Sequence, residues 1–186
     1  PDLVNNYEAV FRRTKNMERR ISNNKVLFQN IENVITSYVE KGYVSEIPSE
    51  KKFEPSFYVP YFPIIKSDRS TTKCRLVFDC AAKFQGQSIN DQIMTGPKLQ
   101  NDIVNVMIRF RRFRYAVIGD ISEMYLQICL TPKDRKFCRF IFNDKIYEWS
   151  RLIFGRSDAP FIALHVLRHH ALKYKDQYGE AVESIY

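Results

Sequence analysis

The feature that most constrains the fold is a change of hydrophobic period at residues 48–56, a connector with two prolines and a charge cluster. Before it, apolar residues recur at helical spacing and predict helices over Leu3–Ile21 and residues 27–38. After it, Phe57–Ile65 and Cys74–Asp79 have the composition of strands flanking a polar turn. Helices and strands are grouped along the chain, which predicts an α+β fold and not a doubly wound parallel sheet.

Later segments predict two more helices and their caps. Leu99–Phe110 returns to the helical period, and Ser157-Asp158 is placed to cap a helix that has Pro160 in its first turn. Gly42 stands where the second predicted helix would need a left-handed cap.

Further strands are predicted downstream. Tyr115–Ile121 is a short apolar run containing an acid, which indicates a buried strand. Phe137–Phe142 and Lys145–Trp149 predict a hairpin whose turn is Asn143-Asp144.

Charge and cysteine content narrow the function. The net charge of +8, from 29 Lys+Arg against 21 Asp+Glu, favours a polyanionic partner, with nucleic acid the leading candidate. Four cysteines without a C-x-x-C pair indicate a reducing, intracellular setting. No apolar run is long enough to span a membrane, so no membrane partner is expected. Because the chain begins at Pro1, we expect a fragment or a processed product.

Three groups of residues are candidates for chemistry, and each has a structural alternative. Asp120 ends the predicted strand and would suit Mg²⁺ or simply cap the following turn. Lys66 and Arg75 flank the polar turn, where they would close over a triphosphate or remain solvated. The Gly-containing turn 154–160 would admit a flat ligand or merely connect two elements.

A basic stretch interleaves arginines with aromatic residues. Its cations would contact phosphates while the aromatic rings stack on bases, or they would form the solvated face of a helix. The arginines concerned are Arg109, Arg111, Arg112 and Arg114.

Taken in order, several motifs resemble a reverse transcriptase. They are Y-V-P-Y-F-P-I-I-K (58–66), T-K-C-R-L-V-F-D (72–79), S-I-N-D…G-P-K-L-Q (88–100), A-V-I-G-D-I-S-E-M-Y (116–125), L-I-F-G-R-S-D-A-P-F (152–161) and L-R-H-H (167–170). The variant that they resemble most is the BEL/Pao class of long-terminal-repeat retrotransposons. Two N-terminal motifs, N-Y-E-A-V-F-R-R (6–13) and Y-V-E-K-G-Y-V (38–44), resemble the segment that precedes the polymerase in that class.

The resemblance implies a right-hand polymerase with fingers and an incomplete palm, and no thumb. Residues 1–56 would be a helical lead-in and connector, and 57–118 the fingers. Residues 119–132 would form palm with the first catalytic strand, 133–150 a fingers hairpin, and 151–186 further palm that stops before the second catalytic turn.

The resemblance also implies roles at the site. Asp120 would be the catalytic carboxylate that binds two Mg²⁺ ions, with Mn²⁺ as a substitute, and the Ile121 carbonyl would be a further metal ligand. Tyr125 would be the steric gate against ribonucleotides. The remaining nucleotide-binding residues would be Lys66, Arg75, Glu123 and Met124 (through nearby amides), Phe154 and Gly155.

The implied partners are an RNA template, a DNA primer, deoxynucleoside triphosphates, and the thumb, ribonuclease H and integrase segments of a polyprotein. The implied location is intracellular and cytoplasmic, in a retroelement particle. One departure is serious, since the family's aromatic-x-Asp-Asp turn is missing from a sequence that ends Glu183-Ser184-Ile185-Tyr186. We therefore expect this chain alone not to polymerise. The alternative is a catalytically dead, retroelement-derived domain that binds RNA or protein.

Overall fold

A computed structural model describes residues 3–66, 73–112, 114–179 and 182. The helices are α1 (Tyr7–Ile21), α2 (Lys25–Glu40), α3 (Ile103–Phe110), α4 (Pro132–Arg135), α5 (Ala159–Leu172) and α6 (Lys175–Tyr178). The strands are β1 (Val44–Ile47), β2 (Tyr61–Lys66), β3 (Lys73–Phe78), β4 (Arg139–Phe142) and β5 (Lys145–Trp149). Short 3₁₀ helices lie at Ser49–Phe53, Asn90–Gln92 and Met124–Gln127. The predicted α+β class is confirmed.

The two N-terminal helices are confirmed, together with the cap that ends α2. The Asn24 side chain accepts a hydrogen bond from the Leu27 amide at the start of α2. At the other end, Gly42 has a φ of +67°. Its amide donates to Val39 at 2.9 Å and the Tyr43 amide to Tyr38 at 2.8 Å, which together form a Schellman motif.

A three-stranded antiparallel sheet has the order β1-β5-β4. The predicted β4–β5 hairpin is confirmed, and its turn residues Asn143 and Asp144 have φ values of 48° and 64°. Positive φ at both positions is the signature of a type I′ turn, whose twist matches that of the strands it joins.

The outer edge of β4 is covered by residues 57–59. The Val59 amide donates to the Arg139 carbonyl at 2.7 Å, and the Arg139 amide donates to the Phe57 carbonyl at 3.2 Å. The predicted strand over Phe57–Ile65 is thus divided at Pro60. The residues before Pro60 lie alongside β4 and hydrogen-bond to it, and those after Pro60 belong to β2. Covering an edge in this way protects it from pairing with another chain.

The second sheet is the hairpin β2–β3, paired from Tyr61–Phe78 to Lys66–Lys73. It confirms the predicted strands beside the polar turn, and the turn itself (67–72) lies outside the described residues. The two sheets share one core, in which the rings of Phe78, Phe140 and Trp149 approach one another at 5.1 to 5.9 Å. Helix α2 packs onto this core, and α1 covers the other face of β4.

The predicted connector 48–56 is fastened to the sheet by a buried arginine. Arg139 is 2% exposed, and its guanidinium donates to Glu148 at 2.9 Å, to Glu54 at 3.2 Å and to the Lys51 carbonyl at 3.0 Å. A buried cation is costly unless it is paired, so Arg139 keeps these partners. Its bonds to Lys51 and Glu54 therefore hold the connector against β4.

The prediction of a buried strand over Tyr115–Ile121 is wrong. The segment has no regular structure, and Val117 and Ile118 are 93% and 83% exposed. A strand with apolar faces forms only where neighbouring strands satisfy its backbone, and within the described ranges no strand pairs with this one. None of the described helices has the length and apolar character required to cross a membrane.

Candidate nucleotide-binding site

Two of the predicted nucleotide-binding residues meet in space. Tyr125 is half-buried in the 3₁₀ helix Met124–Gln127, and its ring packs edge-on against Phe154, with ring centroids 4.8 Å apart at 80°. Phe154 remains 49% exposed, so the pair presents an aromatic surface to solvent. Such a surface suits a flat ligand such as a nucleobase.

The turn that carries Phe154 admits no side chain at Gly155. Its φ is +94°, and an added Cβ would overlap the carbonyl oxygen of Phe78. The backbone of the turn therefore lies directly against the end of β3. This close approach to β3 gives a physical reason for glycine in F-G-R-S-D, whereas the sequence analysis had offered the close approach of a flat ligand or a simple connection.

Asn90 holds the same turn from the other side. Its side-chain amide donates to the Gly155 carbonyl at 2.9 Å and accepts from the Ser157 amide at 2.9 Å. Asn90 was not among the predicted site residues, although it belongs to the S-I-N-D motif. Its bonds span 65 and 67 positions of sequence, so local pattern alone could not assign them.

A buried ion pair completes the turn. Arg156 donates to both carboxylate oxygens of Asp158, at 2.7 and 3.0 Å, and to the Cys138 sulfur at 3.4 Å. Burial disfavours the Arg156 charge, but the bonds to Asp158 prevail and raise the pKa of Arg156 above its usual value. The predicted cap is partly wrong, since Asp158 is the N-cap residue of α5 but its side chain makes no capping bond. The carboxylate is engaged by Arg156 instead.

The Glu123 side chain faces the turn that ends α2. It accepts hydrogen bonds from Lys41 Nζ at 2.7 Å and from the Tyr43 hydroxyl at 2.9 Å. The ammonium of Lys41 holds the pKa of Glu123 below its usual range. Both carboxylate oxygens of Glu123 therefore bond to groups of the protein itself. The expectation that amides near Glu123 and Met124 face a triphosphate stays a prediction.

Asp120 and Ile121 lie in the exposed segment before this 3₁₀ helix. Asp120 is solvent-exposed and Ile121 is 45% exposed. Within the ranges that the structure describes, no group of three or more His, Cys, Asp or Glu residues is arranged to hold a metal. Two divalent ions about 3.5–4 Å apart need several anionic ligands. One carboxylate and one carbonyl therefore do not fit the two-ion site that the resemblance implies.

The predicted triphosphate clamp is described in part. Arg75 is exposed on β3, where it lies opposite Ile64. The backbone of Lys66 ends β2, and its side chain lies outside the described part of the chain. The structure thus confirms the hairpin that would carry these cations, while their contact with a ligand stays a prediction.

The four arginines of the basic stretch are exposed at and beyond the end of α3. Arg109 is in its last turn, Arg111 is its C-cap, and the Arg114 guanidinium lies 5.6 Å from the ring centre of Tyr115. Arg112 lies between them, and Phe113 is outside the described residues. No residue of α3 is buried, and Phe110 is 44% exposed. Among the described residues α3 therefore has no buried face, and both interpretations of the basic stretch, phosphate contact and a solvated helix face, stay predictions.

The fold is similar to that of solved reverse transcriptases. The foamy viral protease-reverse transcriptase dRH in complex with double-stranded DNA matches with a TM-score of 0.61 and 20% identity, covering 78% of this chain and 23% of that chain. The selenomethionine-labelled CSH mutant of the prototype foamy virus protein gives 0.60 and 20% identity, covering 77% and 17%. The native prototype foamy virus protein gives 0.54 and 18% identity, covering 81% and 18%.

No family model and no curated protein matches the sequence. At about one-fifth identity, the structural similarity shows the fold alone, which is a reverse-transcriptase-like α+β fold. The chain spans between 17% and 23% of the length of these three proteins.

Proposed function

We propose that this chain is the fingers and part of the palm of an RNA-directed DNA polymerase from a BEL/Pao-type retrotransposon. The observation that carries the proposal is the packing of Tyr125 against Phe154 at 4.8 Å within a reverse-transcriptase-like fold. It joins the two motifs to which the resemblance assigns nucleotide selection. The BEL/Pao lineage is supported by the order of the sequence motifs alone.

The proposed reaction adds a deoxynucleotide to a primer. The primer 3′-hydroxyl loses its proton to solvent and its oxygen forms a bond to the α-phosphorus of a deoxynucleoside triphosphate. The bond between that phosphorus and the oxygen bridging to the β-phosphate breaks, and pyrophosphate leaves. Lys66 and Arg75 would offset the triphosphate charge, and the Tyr125 ring would exclude a ribose 2′-hydroxyl. Phe154 and Gly155 would line the base and sugar pocket. Such catalysis consists mainly of positioning and charge neutralisation.

Asp120 is proposed as one carboxylate of a larger set that would bind Mg²⁺ or Mn²⁺, with the Ile121 carbonyl beside it. The described residues do not provide the other acids. We therefore propose that the intact enzyme, and not this chain by itself, is active.

The proposed division of the chain follows the polymerase hand. Residues 1–56 are the lead-in, 57–118 and 133–150 the fingers, and 119–132 and 151–186 the palm. The proposed partners are RNA template, DNA primer and the remaining segments of a polyprotein. The net charge of +8 supports a nucleic-acid partner, as does a similar fold that was solved with double-stranded DNA.

The test is primer extension on an RNA template by the protein that carries this chain together with its in-frame continuation. The wild type should extend the primer with deoxynucleotides in Mg²⁺, and Asp120→Asn should lower the rate about a hundredfold or more. Asp176→Asn, which changes an exposed aspartate of α6, is the matched control and should retain the wild-type rate. Extension by Asp120→Asn at the wild-type rate would contradict the proposed role.

A second candidate function is favoured by two observations on the described part of the chain: no group of acids able to hold a metal includes Asp120, and the arginines at and beyond the end of α3 are exposed. In that case the chain is a catalytically dead, retroelement-derived domain that binds RNA or protein. Binding of the 186-residue chain to a labelled single-stranded RNA separates the two candidates. A dead binder tolerates Asp120→Asn in every assay, whereas replacing Arg109, Arg111, Arg112 and Arg114 by Gln weakens RNA binding and reduces its salt dependence.

A further inference from the structure

The backbone at Glu123 has a conformation that its surroundings must maintain. Its φ of 53° and ψ of 38° lie in the left-handed region, which a residue with a side chain adopts infrequently. Such conformations persist where neighbouring groups over-determine them, and they cluster at ligand sites and switches. Glu123 lies at the start of the 3₁₀ helix that presents Tyr125 to Phe154.

The groups that hold Glu123 come from the N-terminal part of the chain, 80 and 82 positions away. Lys41 and Tyr43 donate to different oxygens of its carboxylate, at 2.7 and 2.9 Å. Two donors on two oxygens fix the orientation of the carboxylate as well as its position.

The backbone that carries these two donors is held by further hydrogen bonds. Lys41 and Tyr43 flank Gly42 in the Schellman motif that ends α2. The Ser150 hydroxyl lies 3.0 Å from the carbonyls of both Gly42 and Tyr43, and the Ser150 amide donates to Tyr43 at 2.9 Å. Tyr43 is only 8% exposed. The turn is thereby fastened to the end of β5, which makes it a firm anchor for the loop that begins at Glu123.

We propose that Lys41 and Tyr43 are positioning residues for the loop that carries Asp120 and Tyr125. They act through Glu123, whose backbone angles set the direction in which the chain leaves toward Tyr125. This inference rests on the proposed polymerase function and extends it, because it makes the helical lead-in part of the nucleotide-selecting site. Discrimination between deoxynucleotides and ribonucleotides then depends on residues remote from the nucleotide.

The test uses Lys41→Met and Tyr43→Phe in the protein that carries this chain and its in-frame continuation. The readout is the ratio of deoxynucleotide to ribonucleotide incorporation on one RNA template. We expect either variant to lower this ratio about tenfold or more, since small displacements of positioning groups have effects of up to about a hundredfold. Lys41→Arg keeps a cationic donor and should retain most of the wild-type ratio.

Lys145→Met is the matched control. Lys145 pairs with Glu46 at 2.8 Å with side-chain exposures of 54% and 48%, compared with 45% and 32% for Lys41 and Glu123. Exposed ion pairs contribute little to global stability, so Lys41→Met and Lys145→Met should both fold with nearly unchanged melting temperatures. Of these two lysine variants, Lys41→Met should alter the incorporation ratio and Lys145→Met should not. A ratio unchanged in Lys41→Met and Tyr43→Phe would overturn the inference.

Hydrogen exchange separates failure of this inference from failure of the polymerase proposal. The amides of residues 122–128 should exchange faster in Lys41→Met and Tyr43→Phe than in the wild type and Lys145→Met. If no variant extends a primer but this difference is present, the polymerase proposal fails and the positioning role stands. If exchange in this segment is the same in all proteins, the positioning role is wrong whatever the activity.

Discussion

Apolar side chains in the shared core of the two sheets are buried, whereas most of the described apolar side chains between residues 103 and 121 are exposed, although both regions have apolar sequences that favour burial. In the sheets, Phe78, Phe140 and Trp149 are at most 4% exposed and contact one another. In the second region, Ile103 is 69% exposed and Ile118 is 83% exposed. The difference lies in which elements pack nearby. Helices α1 and α2 and the strands of the facing sheet enclose the core side chains of each sheet. A hydrophobic pattern thus shows which side chains favour burial, and other segments decide whether they achieve it.

The largest expected effect is in the shared core of the sheets. Phe140 is fully buried among Tyr61, Phe78, Tyr147 and Trp149. Phe140→Ala should lower the free energy of unfolding by about 3–5 kcal/mol, because it removes ring contacts and leaves a cavity. Urea denaturation followed by the fluorescence of Trp149, the only tryptophan, measures this value. Ile118→Ala is the control, expected to change it by less than about 0.5 kcal/mol. Equal losses from the two variants would break the comparison.

The second expected effect is the loss of stability on removing one partner of the buried ion pair Arg156–Asp158. Arg156 and Asp158 have side-chain exposures of 10% and 9%, so Arg156→Met leaves a buried carboxylate without a partner. We expect the free energy of unfolding to fall by about 3–5 kcal/mol, and Arg156→Met with Asp158→Leu to recover most of the loss.

The exposed pair Arg13–Asp79, with side-chain exposures of 51% and 31%, is the control for this prediction. Arg13→Met should cost less than about 1 kcal/mol. A loss at Arg156→Met no greater than that at Arg13→Met would mean that the pair is not buried in solution.

The third effect is on association and not on folding. Val117 and Ile118 lie together in an exposed apolar segment, and such surfaces promote self-association. Val117→Lys with Ile118→Lys should reduce self-association of the chain in sedimentation experiments, while the free energy of unfolding changes by less than about 0.5 kcal/mol. A large loss of stability would show that this segment is packed in solution.

The smallest effect needs no substitution. Burial raises the pKa of the Cys80 and Cys138 thiols, which lowers their thiolate fraction at pH 8, whereas Cys129 is exposed. Iodoacetamide at pH 8 should therefore modify Cys129 first and reach the two buried cysteines only when the protein unfolds. Peptide mass spectrometry with and without urea measures the order. Early modification of Cys138 in the native protein would contradict its burial beside the Arg156 turn.

The elements that sequence predicts well here are those specified locally. Helix α2 has a continuous apolar face and a glycine at its cap, and the β4–β5 hairpin has Asn143-Asp144 at its turn. Tyr115–Ile121 has the composition of a strand, but strand formation depends on partners elsewhere in sequence. The local pattern therefore predicted its preference and not its state.

The candidate site divides in the same way. Motif order identified Tyr125 and Phe154, which the structure brings into contact. It did not identify Lys41 or Asn90, whose partners are 82 and 65 positions away. A single Lys or Asn is common in any sequence and does not mark a site by itself. The fold is needed to show that Lys41 bonds to Glu123 and Asn90 to Gly155.

The most direct measurement is the sequence of the parent transcript beyond the codon for Tyr186. The polymerase account requires further carboxylates to join Asp120, and it predicts an aromatic-x-Asp-Asp turn encoded in frame shortly downstream. A stop codon, or an unrelated sequence without paired aspartates, would contradict the account and favour a catalytically dead binding domain.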